Sequence, residues 1–155
     1  MINTAEISHA STYTEAVNRA YRGHKYRTRE RLQFFADNHD ADRRVVITLE
    51  HWSRFSDAAK AYKTATDEQH TIRVRTLSGW TPDSPGSESG CWTIDGDEHE
   101  RDITPKQSDA LRSTIHAMLA AEFSAAPLGR VLPGSHYRTS KGAAVPLPLP
   151  EGIAI

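Results

Sequence analysis

The chain has one cysteine, Cys91, so no disulfide can form within it and nothing points to an oxidising compartment. No apolar run approaches the roughly 18 residues of a membrane helix. The N-terminus, MINTAEISHAS, has neither a basic segment nor an apolar core, so no signal peptide is expected. Glycine-rich phosphate loops are missing: no GxGxxG follows a strand-like run, and GxxxxGK[ST] does not occur. There is no GxSxG elbow, no HExxH and no cysteine pair for a structural zinc. These absences argue against nucleotide-dependent catalysis, serine hydrolysis and a zinc-finger fold. No fixed repeat is visible, which excludes solenoids and propellers.

What is present is an ordinary globular mix. With 37% hydrophobic and 25% charged residues, 155 residues suffice for one domain that buries roughly two-thirds of its unfolded surface. Thr12 with Glu15 reads as a capping box, and Tyr13, Ala16, Val17, Ala20 and Tyr21 follow at helical spacing, with Gly23 weakening the end. His24 to Asn38 fits either period. Leu32, Phe35 and Ala36 share a helix face, while Tyr26, Thr28, Glu30, Leu32 and Phe34 alternate as a strand would. Its Leu, Gln, Arg and Glu content favours helix. Asn38 to Asp42 reads as a turn. Arg44 to Glu50, RVVITLE, is a strand of central type, and Trp52, Phe55, Ala59 and Tyr62 are spaced for a helix capped by Ser53 or Ser56.

His70 to Leu77 alternates as a half-buried strand, so a parallel crossover is expected between it and Arg44 to Glu50. Ser78 to Gly90 reads as a loop carrying Trp80. Cys91 to Ile94 and Asp97 to Ile103 read as a hairpin turned by Asp95-Gly96. The best-marked helix opens at Thr104, has Pro105 at its first position and Gln107 completing a capping box. Leu111, Ile115, Met118, Leu119 and Phe123 form its apolar stripe, and Pro127 ends it. The expected fold class is therefore α+β over residues 1–127: a sheet of about four strands, an N-terminal helix or helix pair, one crossover helix and a C-terminal helix. Residues 128–155 form an irregular proline-containing tail, docked or flexible, in which VPLPLP favours an extended conformation.

The formal net charge of −1 hides a strongly uneven distribution. Arg19, Arg22, Lys25, Arg27, Arg29 and Arg31 stand against Glu30 alone, a local +5 interleaved with Tyr21, His24 and Tyr26. Asp83 to Asp102 holds seven acidic residues against Arg101, a local −6. Uncancelled arginines steer polyanions and fork onto phosphate or carboxylate oxygens. The alternative is that the basic segment is a solvated face or pairs with the acidic segment at home. Arg73 and Arg75 lie on one face of the later strand and extend the basic surface if the two adjoin. No helix-turn-helix, zinc-finger or RNP signature accompanies the arginines.

Eight histidines invite a metal or acid–base hypothesis. Glu50 and His51 follow the central strand, and Asp97 and His99 sit in the acidic segment. Carboxylate and imidazole together suit a small metal- or histidine-dependent hydrolase or nuclease. Against this, no nucleophile is paired with them and no EF-hand spacing is met. Asn38 to Asp42 is explained by its turn composition, His116 by solvation, and Cys91 by the behaviour of a small apolar residue. Trp80 is either a plug over the core or an exposed anchor, and Trp92 beside Ile94 fits a core position.

The function expected is thus a small, non-enzymatic, cytoplasmic interaction or regulatory protein, of the inhibitor or accessory-factor type known from mobile elements. Its contact residues would be Arg19, Arg22, Lys25, Tyr26, Arg27, Arg29, Arg31, Arg73, Arg75 and Trp80. Its partner would be a larger protein or nucleoprotein complex with an acidic or phosphate surface, nucleic acid being one candidate. No cofactor, metal or membrane is expected.

Overall fold

The computed structural model describes residues 4–13, 15–38, 40–63, 68–87, 89–122, 136–138 and 144–153. In chain order the elements are β1 (Thr4–Ile7), β2 (His9–Thr12), β3 (Asn18–Tyr21), β4 (His24–Asn38), β5 (Arg43–Ser56), β6 (Ala61–Tyr62), β7 (Glu68–Pro82) and β8 (Gly90–Ile103). They are followed by α1 (Pro105–Glu122), β9 (His136–Arg138) and β10 (Val145–Pro148). Eight strands form one sheet, in the order β8-β7-β5-β4-β2-β9 with β3 added on β4 and β6 on β5. β1 and β10 pair separately. Every pairing among the described residues is antiparallel. No described helix is long and apolar enough to cross a membrane.

This corrects the α+β expectation: the described residues are mostly strand, with one helix. The expected N-terminal helix is β2, a connection and β3, and its stripe buries little, since Tyr13 and Val17 are exposed. Arg22 and Gly23, both at positive φ (49° and 76°), form the two-residue turn that folds β3 back on β4. Such a turn matches the twist of a hairpin, and glycine takes that conformation without steric cost. His24 to Asn38 is strand rather than helix, because it pairs with β5 along nearly its whole length. The expected crossover helix is absent. β5 runs on to Ser56, residues 57–60 turn, and β6 returns so that Tyr62 stands opposite Phe55. Ser56 does act as a cap, its Oγ accepting the Ala59 N–H at 3.2 Å, but it closes a turn and not a helix.

β5 and β7 are therefore antiparallel neighbours, not a parallel pair. Strand β7 continues through Trp80 to Pro82, into the stretch expected to be loop. The Asp95-Gly96 hairpin is replaced by a bulge within one continuous strand. β8 spends three residues from Asp95 to Glu98 where β7 spends two from Leu77 to Arg75. A Cβ on Gly96 would collide with Thr76 Oγ1, so glycine is needed there for close approach.

The capping box of α1 is formed as the sequence indicates. Gln107 N–H donates to Thr104 Oγ1 at 3.1 Å, and Thr104 N–H donates to Gln107 Oε1 at 2.9 Å. Leu111, Ile115 and Met118 are buried in one cluster with Leu32, Phe34, Val45, Ile47, Leu49, Ile72, Val74 and Ile103 of the sheet. The expected contributions of Leu119 and Phe123, and the stop at Pro127, lie outside the described side chains. Ala5 and Ile7 of β1 and Leu147 and Leu149 from the tail join the same cluster. The tail's alternating prolines suit this position: among the described residues β10 pairs only with β1, so the missing N–H groups of Pro146 and Pro148 cost no central ladder bond.

Candidate functional site

One irregularity in β4 distributes the basic segment. The register with β5 shifts between Thr28 and Glu30, leaving Arg29 as an extra residue. Side chains alternate between the faces of a strand, so this bulge exchanges the faces beyond it. Leu32 and Phe34 face α1, whereas Thr28 and Tyr26 share the opposite face with Trp52. Arg31 and Arg19 therefore lie on the face away from the helix, with Arg73, while Lys25 and Arg27 lie on the helix side at the end of the sheet.

On the face away from α1 the guanidinium groups are occupied. Glu50, 2% exposed, lies between Arg31 (Nε to Oε2, 3.2 Å) and Arg73 (Nη2 to Oε1, 3.2 Å). Arg73 also meets Glu98 at 3.3 Å and Glu100 at 3.2 Å. Glu100 is paired with Arg19 as well, whose guanidinium lies 4.1 Å over the Trp52 ring. Arg75 pairs with Asp95 at 3.1 Å. Burial alone would raise the Glu100 pKa, but hydrogen bonds from Arg19 and Arg73 outweigh it and hold the carboxyl below its ordinary value. Acidic β8 thus neutralises part of the basic surface that the sequence offers. Tyr26 is buried, edge-on to Tyr21 at 5.6 Å, and leaves little of its side chain at the surface.

At the end of the sheet, where the β3–β4 and β5–β6 turns lie, the surroundings differ. Arg27 stacks 3.7 Å over Phe55 and donates from Nε to Asn18 Oδ1 at 2.8 Å. Arg29 stacks 4.7 Å over Tyr62, and Arg22 lies 5.1 Å over Tyr21. Phe55 and Tyr62 meet edge to face at 5.3 Å, and the Tyr62 hydroxyl donates to Thr28 O at 2.8 Å. Among the described residues Arg22, Arg27 and Arg29 have no carboxylate partner, nor do Lys60 and Lys63 on the β5–β6 hairpin. Lys25 is paired with Asp57 at 2.7 Å. Of the six cations of the basic segment, three are neutralised (Arg19, Lys25, Arg31) and three are not. Lys60 and Lys63 lie outside the basic segment in sequence, and the β5–β6 hairpin brings them to this end.

Trp80 is not part of this end. It is half-buried on β7 at the opposite end of the sheet, 5.4 Å from Trp92, with its backbone N–H donating to Asp42 Oδ1 at 3.0 Å. N–H groups of Trp80 and Gly79 lower the pKa of Asp42. Arg44, forked onto Asp37 at 2.7 and 2.9 Å, lies over both Phe35 and Trp92.

The expected constellation of Glu50, His51, Asp97 and His99 does not assemble. Glu50 and His51 point to opposite faces of β5, and Asp97 and His99 are exposed on β8, two strands away. His51 instead meets a different histidine. His51 and His70 are register partners, their rings parallel (9°) with centroids 4.3 Å apart. Glu68 Oε2 lies 3.5 Å from His51 Nε2, and His70 Nδ1 lies 3.2 Å from Ser108 Oγ in the first turns of α1. Burial lowers the pKa of both imidazoles. For His51, Glu68 opposes this and Arg112 adds to it; for His70, the neighbouring His51 and Arg112 add to it. Arg112 is itself engaged by Glu30 at 3.2 Å and Asp109 at 3.4 Å. Sequence spacing could not pair His51 with His70, because a helix was expected between them.

No protein-family model, curated protein or solved structure matches the chain.

Proposed function

We propose that this protein is a small non-enzymatic interaction protein, of inhibitor or accessory-factor type. It grips the acidic face of a larger protein or nucleoprotein complex with the cation-bearing end of its sheet. The observation that supports the reading is the set Arg22, Arg27 and Arg29, stacked on Tyr21, Phe55 and Tyr62 without carboxylate partners among the described residues. Stacking fixes each guanidinium while leaving its edge N–H groups to donate, so less side-chain entropy is lost on binding an oxyanion. The rings are already covered by guanidinium groups. They offer no free platform for bases, which favours an acidic protein face over single-stranded nucleic acid. A cytoplasmic location belongs to this reading and rests on the single cysteine.

The test is retention on immobilised polyglutamate and on duplex DNA at low and high salt. The intact chain is compared with the triple variant Arg22→Ala, Arg27→Ala, Arg29→Ala. The triple change should weaken retention by tenfold or more and flatten its salt dependence, with the melting temperature nearly unaltered. Retention of unchanged strength by the triple variant overturns the reading. Tighter retention on the duplex than on polyglutamate would move the partner from protein to nucleic acid.

A further inference from the structure

The histidine pair at the N-terminal end of α1 is not used by the binding surface, and its chemistry points elsewhere. We propose that His51, Glu68 and His70 form a binding site for one divalent zinc ion. The donor atoms of these three side chains all lie within 4.8 Å of one another. Ligands of tetrahedral zinc, about 2.0–2.1 Å from the metal, stand about 3.4 Å apart. His51 Nε2 and Glu68 Oε2, at 3.5 Å, already have that separation. The remaining closure is at most about 1.4 Å by the same geometry. Completing the site takes rotation of the two rings out of their parallel stack, since each nitrogen lone pair lies in its ring plane, together with reorientation of Glu68, whose side chain is one-third exposed.

Two further features fit a metal. Among the described residues His51 Nε2 is buried and its nearest polar neighbour is Glu68 Oε2, at a long 3.5 Å, a costly state for a ring nitrogen unless something else satisfies it. His70 Nδ1 is engaged by Ser108, which orients the ring and leaves Nε2 to coordinate, the outer-shell arrangement common to metal-binding histidines. Glu30, the register partner of His51, is held by Arg112, so it neutralises that guanidinium and leaves the ligand set at three. Two imidazoles and one carboxylate leave a fourth position open to water or to an anion.

The experiment is calorimetric titration of the full chain with zinc chloride, together with cobalt(II) substitution followed by visible absorption. One equivalent should bind, and cobalt should give the intense bands of a four-coordinate site. Glu68→Gln, on an exposed side chain that the fold does not need, should weaken binding at least tenfold, and His51→Gln should do the same. His99→Gln and Cys91→Ser, which remove an exposed imidazole and the one thiol, should leave binding unchanged. Absence of saturable binding to the intact chain, or binding that survives Glu68→Gln at full strength, overturns the proposal. Neither result bears on the arginine surface, whose variants keep all three ligands.

Discussion

Arginines only a few positions apart in one segment have opposite surroundings. Arg19 and Arg31 lie on the sheet face away from the helix, bound into a chain of carboxylates that runs from Glu50 to Glu100. Arg27, before the bulge, and Arg29, the bulge residue itself, rest on aromatic rings and meet no carboxylate among the described residues. The difference teaches that local charge density does not define an interaction surface. A single extra residue in β4 assigns some cations to the architecture and others to the solvent.

Breaking the internal network should have the largest effect. Glu50→Ala leaves Arg31 and Arg73 facing each other without their shared carboxylate. Loss of one member of a buried ion pair costs about 3 kcal/mol, here a fall of roughly 10 °C in melting temperature by calorimetry. Next comes a direct contrast between the two groups. Arg19→Ala gives up both the Glu100 pair and its stacking on Trp52 and should cost about 1 kcal/mol in urea unfolding. Arg29→Ala should stay within about 0.5 kcal/mol of the parent. Equal costs for the two would erase the distinction.

The smallest effect concerns acid. The folded-state pKa of Glu100 lies below its ordinary value of 4.5, so the unfolded chain takes up that proton first as pH falls. Its contribution is complete above the ordinary value and is lost as pH drops through the folded one. Glu100→Gln should therefore flatten the acid limb of the stability–pH profile and leave the slope at neutral pH unchanged.

Much of the local punctuation was legible. The capping box of Thr104 and Gln107, the strand from Arg44 and the alternation from His70 all lie where the residues point, while Gly23, expected to weaken a helix end, makes a hairpin turn. Over 12–21 the expected stripe buries little, and the helices expected over 24–38 and 52–62 failed for one reason. Each window has apolar residues at helical spacing or good helix formers, but the long antiparallel pairings of β4 with β5 and β5 with β7 bury far more than an isolated helix could. The Asp95-Gly96 signal was real but ambiguous, since a glycine that permits a tight turn equally permits a bulge. Of the expected contact residues, Arg22, Arg27 and Arg29 remain exposed or half-exposed and unpaired by carboxylate, whereas Tyr26 is buried and Arg73 is surrounded by glutamates.

The amino-acid order alone determines the block of arginines, the acidic stretch that offsets it, the helix start at Thr104 and the lack of a glycine-rich phosphate-loop motif and of a second cysteine, because these follow from composition and short-range spacing. Only the tertiary structure decides which arginines are neutralised and which two histidines stack. Both depend on register between strands distant in sequence, and shifting one strand by a single residue exchanges the faces of all its side chains.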